Sequence, residues 1–149
     1  MKRTILLCGI LLISCGCEKK ITNNTCIIEQ KNSHNLTLEM TATNDIIDKL
    51  NVTIIPDNKE LEIESFNSLN NEQKMQIKNQ LLNNLGLNEN KKGIDITFQF
   101  NKNMILNLNI DLKIADRNVL KKIGFDFEET DMSLKKAVDD LQNNGALCK

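Results

Sequence analysis

Ile94-Asp95-Ile96-Thr97-Phe98-Gln99-Phe100, the connection Asn101-Lys102-Asn103, and Leu106-Asn107-Leu108-Asn109-Ile110-Asp111-Leu112 together decide the fold of this chain. Apolar side chains occupy every second position of both runs, the two-residue period of a strand buried on one face. The short polar connection predicts a hairpin. A dry face and a wet face on each strand predict an antiparallel sheet covered on a single side. Working outward, the same period recurs in Leu36, Leu38 and Met40, which alternate with Thr37, Glu39 and Thr41. It recurs again in Leu50, Val52 and Ile54, which alternate with Asn51 and Thr53.

Helices supply the cover. A helical pattern runs from Asn71 to Leu85, with Asn70 as N-cap, Gln73 at the capping-box position and Gly86 as its stop. Met75, Ile77, Leu81, Leu82 and Leu85 fall on one half of its wheel, and packing on the sheet is expected through Leu81 and Leu85. A short helix from Arg117 to Ile123 starts at Asp116, stops at Gly124 and points Val119, Leu120 and Ile123 inward. A third, from Leu134 to Asn144, lies between Ser133 and Gly145 and carries the stripe Leu134, Ala137, Val138 and Leu141. Three or four strands, a helix, a hairpin and two helices predict an α+β fold of two layers, an antiparallel sheet with helices on one face.

The chain has 149 residues, enough for one domain with a sizeable core. Its 19 basic and 20 acidic side chains exclude a strongly cationic nucleic-acid binder, which needs basic excess to displace counterions. Aromatic residues make up 3% and all are Phe, so no platform of flat rings is available for stacking bases or sugars.

The N-terminus reads as an export signal. Lys2 and Arg3 precede an apolar run from Thr4 to Ile13, shorter than the ~20 residues a helix needs to span a bilayer but suited to a signal h-region. Leu12-Ile13-Ser14-Cys15 follows, and this resembles the bacterial lipobox. The resemblance implies a lipid on the thiol of Cys15 and cleavage just before it. Cys17 is the competing acceptor, but the residue three before it is Ser14 where an aliphatic side chain is wanted. The expected organisation is a signal peptide over 1–14, a tether over 15–25 and a single α+β domain over 26–149. Removal of Lys2 and Arg3 leaves a mildly acidic product, so the lipid and not basic charge provides the attachment to membrane.

Export changes what the remaining thiols mean, because disulfides persist outside the cytosol. With Cys8 in the signal and Cys15 lipidated, Cys17, Cys26 and Cys148 remain. A bridge from Cys26 to Cys148 would tie together the two ends of the domain; two buried free thiols are the alternative. The chain-entropy model assigns a loop of that size on the order of 4–5 kcal/mol. No Cys-x-x-Cys is present, and His34 is the one nitrogen ligand on offer, so no zinc site is expected.

The lipobox, the Leu69-Asn70-Asn71-Glu72-Gln73 helix start, Gly93-Ile94-Asp95-Ile96-Thr97-Phe98-Gln99-Phe100, the strand end Ile110-Asp111-Leu112, and Met132-Ser133-Leu134 through Gly145-Ala146 occur in an order that resembles the YehR-like family of small bacterial lipoproteins. The resemblance covers residues 26–149. It implies an α+β lipoprotein domain and brings no active site with it.

Catalytic signatures are thin. The sequence has no Gly-x-Ser-x-Gly, no phosphate-binding loop and no His-Glu-x-x-His. His34 lies in the turn-like composition Asn32-Ser33-His34-Asn35, and Arg117 stands at a helix start. Asp126, Glu128, Glu129 and Asp131 form the densest acidic cluster but lack the spacing and glycine of an EF-hand. Acidic residues before a helix N-terminus are favoured by the macrodipole without any metal. The expectation is a membrane-anchored envelope lipoprotein outside the cytoplasm, non-catalytic, without metal or cofactor, binding a protein or envelope component. A carrier of a small hydrophobic ligand or lipid, with an apolar pocket between sheet and helices, is the alternative.

Overall fold

The computed structural model describes residues 19–29, 34–57, 63, 65–87, 91–125 and 132–149. Among the described residues, six strands and three α-helices follow one another as β1 (Ile21–Glu29), β2 (His34–Thr43), β3 (Ile46–Pro56), α1 (Asn71–Asn84), β4 (Ile94–Phe100), β5 (Met104–Asp111), α2 (Arg117–Lys122), α3 (Leu134–Asn143) and β6 (Leu147–Cys148). A 3₁₀ turn, Phe66–Ser68, precedes α1. The strands form one open sheet in the order β4-β5-β3-β2-β1-β6, and every neighbouring pair is antiparallel. The fold is α+β.

The period-two pattern becomes a set of straight rows across the sheet. Ile96 pairs with Leu108, Leu108 with Val52, Val52 with Leu38, and Leu38 with Cys26. The row ends at Cys148, the cross-strand partner of Cys26. A second row joins Ile94, Ile110, Leu50 and Met40. These side chains form the core cluster against which Leu82, Leu85, Leu120, Leu134, Val138 and Leu141 of the helical layer pack.

The helix termini follow the local chemistry. Asn70 Oδ1 accepts from the Gln73 amide at 2.9 Å, and Gln73 Oε1 accepts from the Asn70 amide at 3.0 Å, the reciprocal capping box. Asp116 Oδ1 accepts from the Asn118 amide at 2.8 Å, and Ser133 Oγ accepts from the Lys136 amide at 3.3 Å. On α1 the innermost residue is Leu82 rather than Leu81, and Met75 is 58% exposed. Both Leu82 and Leu85 belong to a stripe three residues apart; Leu81 lies about 100° round the wheel from Leu82 and is only half-buried.

Three features depart from the sequence reading. Of the residues expected as tether, 15–25, Ile21–Thr25 is strand, with Ile21 opposite Thr43 and Thr25 opposite Glu39. Composition hides it: Thr22 and Asn24 take the helix-facing positions but lie beside α3, where they line an open groove and need no apolar side chain. His34 does not sit in a turn; it opens β2 opposite Pro56. The third strand starts at Ile46 and not near Leu50. A bulge between Thr41 and Ala42 sets Lys49 opposite Thr41 and Ile47 opposite Ala42, so Asp48 is the extra residue. Ile47 and Leu50, three apart, therefore both reach the core, at 1% and 2% exposure, and the alternation that marks a strand is interrupted there.

The β2–β3 turn is the two-residue loop Asn44-Asp45, with φ of 52° and 69°, the left-handed pair that suits a tight hairpin. At the other end of the chain, the amides of Thr25 and Lys149 each donate to the other's carbonyl at 2.9 Å. Cys26 and Cys148 stand at disulfide distance, with Cα atoms 4.0 Å apart and sulfurs 2.04 Å apart. The expected segments before residue 19, including Cys15 and Cys17, and the acidic run Asp126 to Asp131 lie outside the described residues.

Candidate functional site

Alternation that sends leucine and isoleucine toward the helices must send their neighbours to the opposite face. Here those neighbours are polar over the centre of the face, with Ile55 and Ile105 at one end and Ile27 and Leu147 toward the β6 edge. One row across the sheet reads Thr25, Glu39, Asn51, Asn109, Asp95, from β1 through β2, β3 and β5 to β4. The next reads Thr37, Thr53, Asn107, Thr97. Among the described residues, all three helices pack against the other face, and this one is open.

The open face is shallowly concave. A groove of about 460 Å³ runs over its centre, lined by Glu39, Lys49, Asn51, Asp95, Asn109 and Asp111 among others. Cross-strand hydrogen bonds hold the side chains in place: Asn51 Nδ2 donates to Glu39 Oε2 at 3.0 Å, and Thr53 Oγ1 donates to Asn107 Oδ1 at 2.8 Å. Asn51 Oδ1 is buried and accepts no hydrogen bond. A buried acceptor with no donor costs about 1–3 kcal/mol.

Glu39 and Asp95 stand at the two ends of a row three strand spacings long, about 14 Å at ~4.8 Å per spacing. Carboxylates that hydrolyse a glycosidic bond as a pair stand within roughly 5–9.5 Å, a window that Glu39 and Asp95 exceed and that the diagonal neighbours Asp95 and Asp111, at about 7–8 Å, do not. No group of three or more His, Cys, Asp or Glu side chains is arranged to hold a metal ion among the described residues. Arg117 is exposed at the first turn of α2, with Nη2 3.9 Å from Met132 Sδ, and lies on the helical layer away from this face.

Two carboxylates elsewhere are held below the usual carboxylate range. Asp45 accepts from Ser133 Oγ at 2.6 Å and from the Lys135 amide at 3.0 Å, and these bonds lower its pKa. Asp48 is lowered by the hydrogen bond from Thr43 Oγ1 and by Lys113, whose Nζ lies 2.9 Å from Oδ1. Both serve structure: Asp45 joins the β2–β3 turn to the start of α3, and Asp48 anchors the bulge. A second groove of about 460 Å³ lies beside Asp45, between α3 and β1, with Leu134 and Val138 facing Thr22 and Asn24. It lies between the helical layer and the sheet, at their edge.

The sequence reading did not single out the groove, although Asn51, Asn109 and Asp95 are the polar half of the alternation it used. Alternation identifies a wet face; only strand order and register place the five residues in one row. No helix among the described residues is long and apolar enough to cross a membrane.

The chain matches no protein-family model and no curated protein. Its fold is similar to two solved structures. One is the NMR structure of the Escherichia coli YehR protein, at 11% identity and a TM-score of 0.66 over 88% of this chain and 92% of that one. The other is the NMR structure of a protein from Streptococcus pneumoniae TIGR4, at 13% identity and a TM-score of 0.54 over 100% of this chain and 97% of that one. The fold is YehR-like.

Proposed function

We propose that this chain is a YehR-like lipoprotein of the bacterial envelope, attached through a lipid on Cys15, whose domain is a non-catalytic binding module acting outside the cytoplasm. The observation that carries the reading is the open sheet face, with its row Glu39-Asn51-Asn109-Asp95 along a groove. A face with amides and carboxylates over its centre suits a partner held there by hydrogen bonds, a protein surface or an envelope polymer. The cross-strand pair Cys26 and Cys148 supports an oxidising location. The packed side chains of Met40, Leu50, Val52 and Ile110, each at 1–2% exposure, occupy the space between the layers and favour a binding face over a carrier's interior pocket.

The test has two arms. Cys15→Ala should abolish palmitate labelling and membrane association in the native envelope; labelling retained in that variant but lost in Cys17→Ala moves the anchor to Cys17. A photo-crosslinking residue at Asn109 should then capture one defined envelope component, while the same residue at Asp139 on α3 should not. Capture from Asp139 alone, or a lipid retained stoichiometrically in native mass spectrometry, rejects the open face in favour of the carrier reading.

A further inference from the structure

The two edges of the sheet are unlike. At one, β6 contributes only Leu147 and Cys148, a short edge of the kind that resists further pairing. At the other stands β4, seven residues long, with no proline, no lysine and no bulge, and with Asp95 as its single charge. Edge strands left in this state are templates for another strand.

The phase of the ladder shows which backbone groups β4 offers. The Asp111 amide donates to the Gly93 carbonyl at 2.8 Å, and the Asn101 amide to the Asn103 carbonyl at 3.0 Å. Odd-numbered residues of β4 therefore exchange hydrogen bonds with β5, and the N–H and C=O groups of Ile96, Phe98 and Phe100 point outward. The outward N–H of Ile94 is already taken, by the Lys91 carbonyl at 3.0 Å. Among the described residues no strand pairs with this edge.

We infer that β4 pairs antiparallel with β4 of a second copy of this chain, about a two-fold axis at Thr97, joining two sheets into one of twelve strands. The order of residues selects this occupant. Around Thr97 the strand is self-complementary: Ile96 meets Phe98 and Ile94 meets Phe100 on the helix face, while Asp95 meets Gln99 and Thr97 meets Thr97 on the polar face. The only charge is thus placed opposite an amide instead of its own copy. The parity also agrees, because Ile96 and Phe98 both point their backbone groups outward and become a hydrogen-bonded pair in this register. The ring of Phe98, half-buried beside Phe100 at 6.3 Å, gains an apolar neighbour from the second copy. The two open faces then lie side by side and carry two grooves on one surface. This inference stands apart from the lipid anchor and from whatever the groove binds.

Sedimentation equilibrium of the full chain in density-matched detergent tests it. The wild type should approach twice the monomer mass as concentration rises. Thr97 is exposed and on the polar face, so Thr97→Lys leaves the core intact, which an unchanged urea midpoint would verify. At the axis it sets two ammonium groups against each other in a close, non-hydrogen-bonded pair, and the dimer dissociation constant should rise about threefold or more. Thr97→Glu should do the same, and an equimolar mixture of the two variants should dimerise again. A wild type that stays monomeric overturns the inference. So does a dimer indifferent to both substitutions, or a mixture that fails to restore it.

Discussion

Gly93 shows how little freedom a single residue has where two elements touch. Its φ is +76°, and a Cβ built there would lie 2.6 Å from the Ala115 amide nitrogen and 2.8 Å from the Ala115 Cα. Both are backbone atoms of the turn after β5, which cannot swing away as a side-chain tip does. Gly93→Ala should therefore cost about 3 kcal/mol, the left-handed penalty added to overpacking. Gly86 has a similar φ of +63° with nothing near its missing Cβ, and Gly86→Ala should cost only about 1 kcal/mol. Urea titration of the two variants measures the difference, and equal losses would show that the turn moves to admit a methyl group. Gly86 reads from the sequence as a helix stop and Gly93 as the residue before a strand; the contact of Gly93 with Ala115 is made in three dimensions.

At the scale of elements, Asp45 holds the β2–β3 turn to α3. Besides the two side-chain bonds, its carbonyl accepts from the Leu134 amide at 2.7 Å. Donors from Ser133 and Lys135 favour the charged form, so the folded pKa lies below the unfolded value of about 3.9. Below that value the unfolded chain takes up a proton that the folded chain refuses. The stabilisation is thus complete above about pH 4 and is lost as pH falls through the folded pKa. Asp45→Asn, which tolerates the same positive φ, should lower the urea midpoint at neutral pH, with the gap from wild type narrowing as pH falls below about 3.9. A gap that persists unchanged in acid would mean that the carboxylate's charge contributes nothing. The capping residues Asn70, Asp116 and Ser133 could be read from sequence because each bonds within its own first turn. Asp45 could not, because its partners lie 88 and 90 residues away. The same division explains α1: its helical period was readable, but whether Leu81 or Leu82 faces the sheet depends on how the helix is rolled against Phe98 and its neighbours.

For the whole molecule, Cys26 and Cys148 close the sheet at the edge where β1 and β6 meet, 122 residues apart. Peptide mapping of protein taken from its native envelope without reductant should recover the two in one linked fragment. Replacing both by Ser should lower stability by about 2–5 kcal/mol in oxidising buffer and by much less when the wild type is itself reduced. Two free thiols in the map, or Cys17 joined to Cys26, would reject the bridge.

By itself the sequence determined what local periodicity and local hydrogen bonding determine. It settled the α+β class, strands at 94–100 and around 36–41, the helix starts, and the one-sided cover, because side-chain direction alternates wherever a strand is regular. It also placed Cys26 and Cys148 at opposite ends of the domain. Only the tertiary structure decided what depends on long-range pairing. Strand order sets Glu39, Asn51, Asn109 and Asp95 in one row, the bulge at Asp48 turns both Ile47 and Leu50 inward, and the polar start of β1 becomes strand because β2 is there to pair with it. Those outcomes rest on register between segments distant in the chain, which no window of neighbouring residues contains.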